Sequence, residues 1–306
     1  MTDMPAVPPK NVDTPRGFAF AVSAYLFWGF LPLYMKALAH VPAVEVVAHR
    51  VIWSVPVAGA ILLALGRTDD LRTALRTPAM LGMAAVTAAL ISVNWAIYVW
   101  AIGSGNALDA ALGYYINPLF SVAVGAIFLR ERLTPAQLVA IALACVAVAV
   151  LTWDAGRLPV VAIGLTLSWG AYAYFKKALP VGPNQGFMLE VLILLPPAAG
   201  YVGWLALTGQ GRFGASGIDT MLLLGTGLVT AIPLMVYANG AKLLRLSTIG
   251  ILQYIAPTMI FLTAVFLFGE AFSGVKALAF GLIWIALAVY SFEMLRTARR
   301  QISPLR

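Results

Sequence analysis

The side chains best suited to chemistry are a few ionisable residues set inside long apolar stretches. Glu45, His49 and Arg50 lie together in one stretch, and Glu190 lies in another. A charged group at the centre of a membrane helix costs roughly 2.5 to 3.5 kcal/mol, so each is expected to face a partner, a cavity or the interface. Because Glu45 and His49 are four residues apart, they share one helical face. The sequence leaves two interpretations open. These residues could form an anion-binding or gating cluster, or they could form a structural ion-pair network in which Lys36 pairs with Glu45.

Glu190 is the candidate carboxylate for proton coupling. After a one-residue gap in the internal repeat described below, it matches Arg50 in the other half of the chain. An acid and a base at equivalent positions could sense a proton or a substrate, or they could form a fixed charge pair. Lys36 and Lys177, which each follow a Trp-Gly pair, join Glu45 and Glu190 as candidates for coupling or gating.

Amide and aromatic side chains recur at helical spacing in the same stretches. Amides in lipid seek partners across helices, and Pro118 and Pro257 each leave a carbonyl oxygen without its usual donor. Such groups are expected around a substrate site near the membrane midplane, although the same residues could instead hold helices together. The candidate substrate-binding residues are Trp28, His49, Arg50, Asn94, Trp95, Tyr98, Tyr114, Asn117, Trp169, Tyr237, Asn239, Gln253 and Tyr254.

Composition indicates that lipid surrounds most of the chain. Of the 306 residues, 61% are hydrophobic and 10% are charged, whereas a soluble domain carries about 25% charged residues. Apolar runs of this length cross a bilayer as helices, because a helix satisfies its own backbone groups. The ten runs cover about residues 17–36, 45–65, 80–101, 107–129, 135–152, 160–178, 187–207, 219–241, 247–268 and 275–295.

The basic residues predict the orientation of these spans. With the N-terminus placed inside, most of the twenty Lys and Arg residues fall in inner loops and tails. Basic residues gather on the cytoplasmic side of membrane proteins, so we predict that both termini are cytoplasmic. The same rule accounts for the net charge of +8, and no nucleic-acid partner is expected.

An internal repeat organises the ten spans. The run YINP at 115–118 recurs as YIAP at 254–257, with Glu131 and Glu270 following at the same offset of 139. The pairs Trp28-Gly29 and Trp169-Gly170 are offset by 141. A unit of five helices is odd in number, so its second copy enters the membrane from the opposite side. We predict a disordered cytoplasmic tail at 1–15, a first five-helix repeat at 16–154, an inverted second repeat at 155–296 and a basic cytoplasmic tail at 297–306.

The sequence lacks the common motifs of metal-dependent and nucleotide-hydrolysing enzymes. One cysteine and two histidines occur, without an HExxH zinc pattern or a phosphate-binding GxxxxGK[ST] loop. These motifs carry metal hydrolysis and nucleotide hydrolysis. We therefore expect no catalytic residues, metal or other cofactor. An intramembrane enzyme remains the weaker alternative, beside a structural or sensory membrane protein without transport activity.

Several long runs resemble the EamA-type permeases of the drug/metabolite transporter superfamily, and most closely the RarD proteins. They are WGFLPLYMKAL at 28–38, VPAVEVVAHRVIWS at 41–54, NWAIYVWAI at 94–102, ALGYYINPLF at 111–120 and ILQYIAPTMIFLTAVFLFGE at 251–270. The resemblance implies an all-α integral membrane fold, with ten transmembrane helices in two inverted repeats around a central cavity.

The same resemblance implies a function. We expect a secondary transporter of the bacterial inner membrane that exports or exchanges small metabolites or drugs by alternating access. The aromatic and amide groups suit an amphipathic molecule and the basic cluster suits an acid, so amino acids or related organic acids are the predicted substrates. The expected partners are this small molecule and the lipid bilayer, with protons as a candidate coupling ion.

Overall fold

The structure, a computed structural model, describes residues 13–66, 68–128, 133–241, 243–244 and 246–302. Within these ranges the chain forms α-helices and one π-helical turn, with no β-strand. The helices are α1 (Pro15–Ala37), α2 (Ala43–Ala64), α3 (Asp69–Leu75), α4 (Pro78–Gly103), α5 (Ala107–Phe128), α6 (Pro135–Ala155), α7 (Val160–Ala178), α8 (Pro183–Thr208), α9 (Gly217–Ala241), α10 (Leu246–Leu252), α11 (Ile255–Leu262) and α12 (Gly274–Ile302), and the π turn is Thr263–Leu267.

Nine stretches of the described residues are long and apolar enough to cross a membrane. They comprise α1, α2, α4, α6, α8 and α9, the part of α5 up to Val124, residues Thr248–Leu267, and α12 as far as Thr297. The nineteen-residue helix α7 is not among the nine. The fold is therefore an all-α membrane architecture, and nine of the ten predicted runs coincide with long helices of the described residues. The short α3 was not predicted.

Local signals in the sequence fix where several helices begin and end. The Thr14 hydroxyl accepts a hydrogen bond from the backbone N–H of Gly17, and Thr134 forms a reciprocal capping box with Gln137. Both caps satisfy amide groups that have no partner inside the helix. Helices α6 and α8 end at Gly156 and Gly209, which adopt the left-handed conformation that terminates helices.

The apolar run predicted at about 247–268 is long enough to cross a membrane, but it is not one continuous helix. Helix α10 ends at Leu252, α11 begins at Ile255, and the π turn follows. Pro257 has no N–H for the Gln253 carbonyl, which favours an interruption at this point. By contrast, Pro118 lies inside α5 without ending it.

Loops at one end of the bundle, which we call the Glu45 end, meet across the structure. The loop after α1 contacts the start of α9 through a 2.8 Å bond between His40 Nε2 and Asp219 Oδ1. Glu270, between the π turn and α12, accepts hydrogen bonds from the N–H groups of Ala107 and Leu108 at 2.7 and 2.9 Å. It thereby caps α5, whereas its repeat partner Glu131 lies outside the described residues.

The opposite end, which we call the Asp13 end, joins α1 to the loop after α9. Asp13 accepts a hydrogen bond from the Thr248 hydroxyl at 2.8 Å, and the Thr14 N–H donates to the Leu243 carbonyl at 3.2 Å. Of the disordered tail predicted at 1–15, residues 1–12 lie outside the described residues, but residues 13–15 are docked. The tail predicted at 297–306 begins as helix, because α12 continues to Ile302.

Helices from the first and second halves of the chain interleave. Helix α1 packs on α9 and α11, α7 packs on α4 and α5, α2 packs on α8 and α9, and α6 packs on α12. Two of these contacts pass directly over a glycine: Gly29 faces the Met259 side chain, and Gly170 faces the Phe120 side chain. Each glycine follows one of the repeated tryptophans, so equivalent sequence features make equivalent contacts.

We predict that Gly227→Ala destabilises the protein by about 1 to 3 kcal/mol, the range for an overpacked site. A Cβ atom at Gly227 would meet the backbone of Trp53 and force α2 away from α9. Thermal unfolding of detergent-solubilised protein measures the effect. The control is Gly203→Ala, because a Cβ at that helical position meets nothing within 4 Å. Equal melting temperatures for the two variants would contradict the close helix crossing.

Candidate functional site

A buried arginine lies at the centre of the candidate site. Helix α2 places Arg50 against α4 and α9, where its Nε donates to the Thr230 hydroxyl at 3.0 Å. Its guanidinium carbon lies 4.6 Å from the centroid of the Trp95 ring. The side chain is 3% exposed. No ion pair joins Arg50 to a described carboxylate, and its Nη1 has no hydrogen-bond partner among the described residues.

The contacts of Arg50 with the described residues leave its positive charge without a counter-charge. A desolvated cation–π contact is worth about 2 kcal/mol, and the hydrogen bond to Thr230 adds about 1.5 to 3 kcal/mol because its donor is charged. Together they are similar in size to the several kcal/mol that burying an ion costs. Among the described residues, the Nη1 donor still has no partner and no carboxylate pairs with the guanidinium, so the site holds an uncompensated positive charge.

One face of α4 supplies the next group of side chains. Asn94 donates to the Ser168 hydroxyl at 2.9 Å and to the Leu165 carbonyl at 3.3 Å, and its amide oxygen accepts from the Tyr114 hydroxyl at 3.3 Å. Asn94 thus joins α4 to both α5 and α7, which is the interhelical role that the sequence left open. The buried Tyr98 hydroxyl, one turn further along α4, has no partner among the described residues.

Aromatic rings continue from α4 across α5 to α7. Ring centroids are 5.9 Å apart for Tyr98 and Tyr114, 6.4 Å for Tyr114 and Trp169, and 5.6 Å for Trp169 and Tyr172. These separations fall in the range of favourable aromatic pairs. Together with Arg50, Trp95 and Asn94, these residues form a buried set of polar and aromatic groups that we call the polar layer.

Glu190 lies beside the far end of the polar layer and is 1% exposed. Its Oε1 accepts from Lys176 Nζ at 2.6 Å, and its Oε2 accepts from the Tyr172 hydroxyl at 3.3 Å. The charge partner of Glu190 is therefore Lys176 rather than Arg50. Tyr172 and Lys176 were not predicted as site residues, although Lys176 directly precedes the predicted Lys177. Lys177 itself lies outside the residues whose side chains are described.

A second group of predicted residues lies at the Glu45 end. Glu45 Oε1 accepts from the backbone N–H groups of Arg212 and Phe213 at 2.6 and 3.3 Å. The His49 ring stacks on Phe213 at 4.9 Å, and its Nδ1 accepts from the Trp53 indole at 3.1 Å. We call this arrangement of α2 and the α8–α9 loop the latch.

The Lys36–Glu45 ion pair, one of the two alternatives that the sequence left open, is not formed in the structure. Lys36 Nζ lies over the Phe268 ring at 5.2 Å, while the Glu45 carboxylate is held by the loop amides that the latch provides. Backbone amides can replace a cation as partners of a carboxylate because they donate directly to its oxygens.

The remaining candidates lie apart from the latch, and two of them donate to nearby backbone carbonyls. Trp28 and Tyr237 pack together with Tyr25 at centroid distances between 5.4 and 5.6 Å. Asn239 donates to the Met235 carbonyl at 2.8 Å, and Gln253 donates to the Gly250 carbonyl at 3.0 Å.

Asn117 and Tyr254 are the last two candidates. The Asn117 amide oxygen is buried without a partner among the described residues. The Tyr254 ring lies 6.5 Å from that of Tyr115. Among the residues that the structure describes, no three His, Cys, Asp or Glu side chains converge as metal ligands.

Comparisons with known proteins agree with this architecture. The model of the EamA-like transporter family matches residues 15–153. Protein RarD of Streptomyces exfoliatus is 44% identical over 285 residues, covering 93% of this chain and 90% of that protein. An uncharacterized transporter of Vibrio cholerae is 42% identical over 290 residues, covering 94% and 96%. A solved crystal structure that is 23% identical aligns with a TM-score of 0.59 over 92% of this chain and 98% of that chain, which shows a shared fold.

We predict that Glu190→Gln lowers the stability by about 3 kcal/mol, the lower end of the range for breaking a buried ion pair. The substitution leaves the Lys176 ammonium, whose side chain is 21% exposed, without its carboxylate. Adding Lys176→Met to Glu190→Gln should recover part of the loss, because the unpaired charge is then gone. Thermal unfolding of the single and double variants measures both effects.

The control for this prediction is Asp219→Asn. Its partner His40 is half exposed, so removing that ion pair should cost less than about 1 kcal/mol. A larger loss for Asp219→Asn than for Glu190→Gln would contradict the assignment of Glu190 as the buried partner.

Proposed function

The chain belongs to the EamA-like transporter family, as a RarD-like permease of the inner membrane, and from this premise we propose that it is a secondary transporter that works by alternating access. It carries small metabolites or drugs, with amino acids or related organic acids as the leading substrates. The observation that carries the proposal is the polar layer, in which α2, α4, α5 and α7 bury polar and aromatic groups between the two halves of the chain.

The direction and packing of the helices support two inverted repeats. Helix α6 runs toward the Glu45 end, whereas α12 begins there and runs toward the Asp13 end. In the two halves, α1 corresponds to α7, α4 to α9, and α5 to α11. The contact of α1 with α9 therefore has its equivalent in the contact of α7 with α4, and the contact of α1 with α11 has its equivalent in that of α7 with α5. An inverted repeat permits two states of similar energy that open to opposite sides.

The latch is the proposed gate at the Glu45 end. Glu45 from the first repeat holds the loop at Arg212 and Phe213 from the second repeat. Because Arg50 directly follows His49 in α2, a movement of α2 away from Phe213 would also uncover the polar layer. Because basic residues gather on the cytoplasmic side of membrane proteins, we assign the Asp13 end to the cytoplasm, and the latch then closes the outer side.

Protons are the proposed coupling ion, with Glu190 as the carboxylate. Protonation of Glu190 would remove the charge that holds Lys176 at 2.6 Å. The pair joins α7 to α8 within the second repeat, so its release would loosen these two helices against each other. A transport rate that does not depend on a proton gradient would contradict this part of the proposal.

We predict that cross-linking the loop after α1 to α9 stops transport. The variant carries His40→Cys and Asp219→Cys, whose native side chains touch at 2.8 Å, in a Cys145→Ser background because Cys145 is exposed. Purified protein in liposomes is assayed for uptake of a panel of radiolabelled amino acids and aromatic acids. A short bis-methanethiosulfonate reagent, which links the two cysteines through disulfide bonds, should reduce uptake to the level of empty liposomes, and a thiol reductant should restore it.

The control for this experiment is the single Asp219→Cys variant treated with the same reagent, which should keep its uptake. Full uptake by the cross-linked variant would contradict alternating access at the Glu45 end. Absence of uptake across the panel by a folded protein would favour the alternative of a membrane protein without transport activity.

A further inference from the structure

Three buried hydrogen-bond donors near the centre of the bundle have no partner among the described residues. They are Nη1 of Arg50, the hydroxyl of Ser54 and the hydroxyl of Tyr98. Each residue is at most 3% exposed. Buried donors are paired in the great majority of cases, so three orphaned donors in one region point to a ligand that accepts hydrogen bonds.

The helices place these donors on facing surfaces. Arg50 and Ser54 are four residues apart on α2 and share one face, and Trp95 and Tyr98 are three apart on α4. The guanidinium lies 4.6 Å from the Trp95 centroid, and it is close enough to the Tyr98 phenol for an electrostatic interaction. The Thr230 hydroxyl holds Nε at 3.0 Å, which fixes the plane of the guanidinium.

The charges of this region indicate the class of ligand. Glu190 pairs with Lys176, which leaves the Arg50 guanidinium as the uncompensated charge of the polar layer. A single negative charge would neutralise the layer, whereas a phosphate dianion would leave an excess. The rings of Trp95, Tyr98 and Tyr114 supply an apolar surface beside the donors, which suits a hydrocarbon or aromatic body attached to the anion.

We propose that Arg50, Tyr98 and Ser54 bind the carboxylate of an organic monoanion whose apolar part lies against Trp95. Transport of that anion rests on the function proposed above, but its binding does not. Because the donors are covered in this arrangement, the ligand enters when α2 moves away from the α8–α9 loop. The carboxylate replaces the missing partner of Arg50, and its oxygens accept from both hydroxyls.

The test compares three probes of the same shape and different charge. Calorimetric titration of the purified full chain in nanodiscs uses 3-phenylpropionate, 3-phenylpropan-1-ol and 3-phenylpropylamine. The carboxylate should bind at least about tenfold more tightly than the alcohol or the amine, as expected for hydrogen bonds to a charged group. Arg50→Gln should remove this preference, and equal binding of the three probes by the unaltered protein would overturn the proposal.

Tyr98→Phe separates ligand binding from folding. Its hydroxyl has no partner in the closed arrangement, so its removal should leave the melting temperature unchanged or higher while weakening carboxylate binding by roughly fivefold. Ser54→Ala should behave in the same way. A lower melting temperature with unchanged binding would overturn the proposal, and this test holds even if Arg50→Gln fails to fold.

Tyr34→Phe is the matched control. The Tyr34 hydroxyl donates to the Leu222 carbonyl, so its loss should lower the melting temperature and leave carboxylate binding unchanged. Selective binding of 3-phenylpropionate without uptake into liposomes would support the carboxylate site and contradict the permease. Uptake of an organic cation by a protein without carboxylate preference would overturn the site and leave the permease intact.

Discussion

A polar group buried in a bilayer has no water to pair with, and this constraint shapes the interior of the protein. Several of the buried polar groups are therefore paired across helices. Asn94 joins three helices through its two amide atoms, and Glu190 is held by Lys176 and Tyr172. Glu270 caps α5 from a distant loop. These contacts position the helices around Arg50, where the pairing is incomplete.

The incomplete pairing is what distinguishes a site from a scaffold. Glu190, Asn94 and Arg50 are all buried polar residues of membrane helices, and the sequence alone treats them alike. Their partners separate them, because a group that is fully paired contributes to helix packing and a group that is left unpaired is available to a ligand. The latch at the Glu45 end involves the same helix as Arg50, so in the proposed mechanism access and binding are linked through α2.

Much of the architecture could be predicted from the sequence. Long apolar runs predicted the membrane helices, because the hydropathy and length of a segment can be read from that segment alone. The pairs Trp28-Gly29 and Trp169-Gly170 marked the internal repeat in the sequence, and in the structure their glycines lie against Met259 and Phe120. The candidate polar residues were also visible, since a polar side chain in an apolar run is conspicuous.

The interaction partners of these polar residues could not be predicted in the same way. The carboxylate of Glu45 is held by loop backbone amides, which leave no mark in a side-chain pattern, so Lys36 was assigned in their place. Lys176 sits at the end of its apolar run, where a lysine is expected to reach the interface. The interruption of the helix before Pro257 differs from the continuous helix at Pro118, because tertiary packing decides what a proline does to a membrane helix.

The central claim is that one five-helix unit occurs twice in opposite orientations around the polar layer. Asp154 and Glu293, which are equivalent residues of α6 and α12, should then face opposite sides of the membrane. In a Cys145→Ser background, single Asp154→Cys and Glu293→Cys variants in intact spheroplasts are labelled with a membrane-impermeant maleimide. The account predicts labelling of the cysteine at 154 alone, and of the cysteine at 293 only after lysis. Labelling of both from the same side would contradict it.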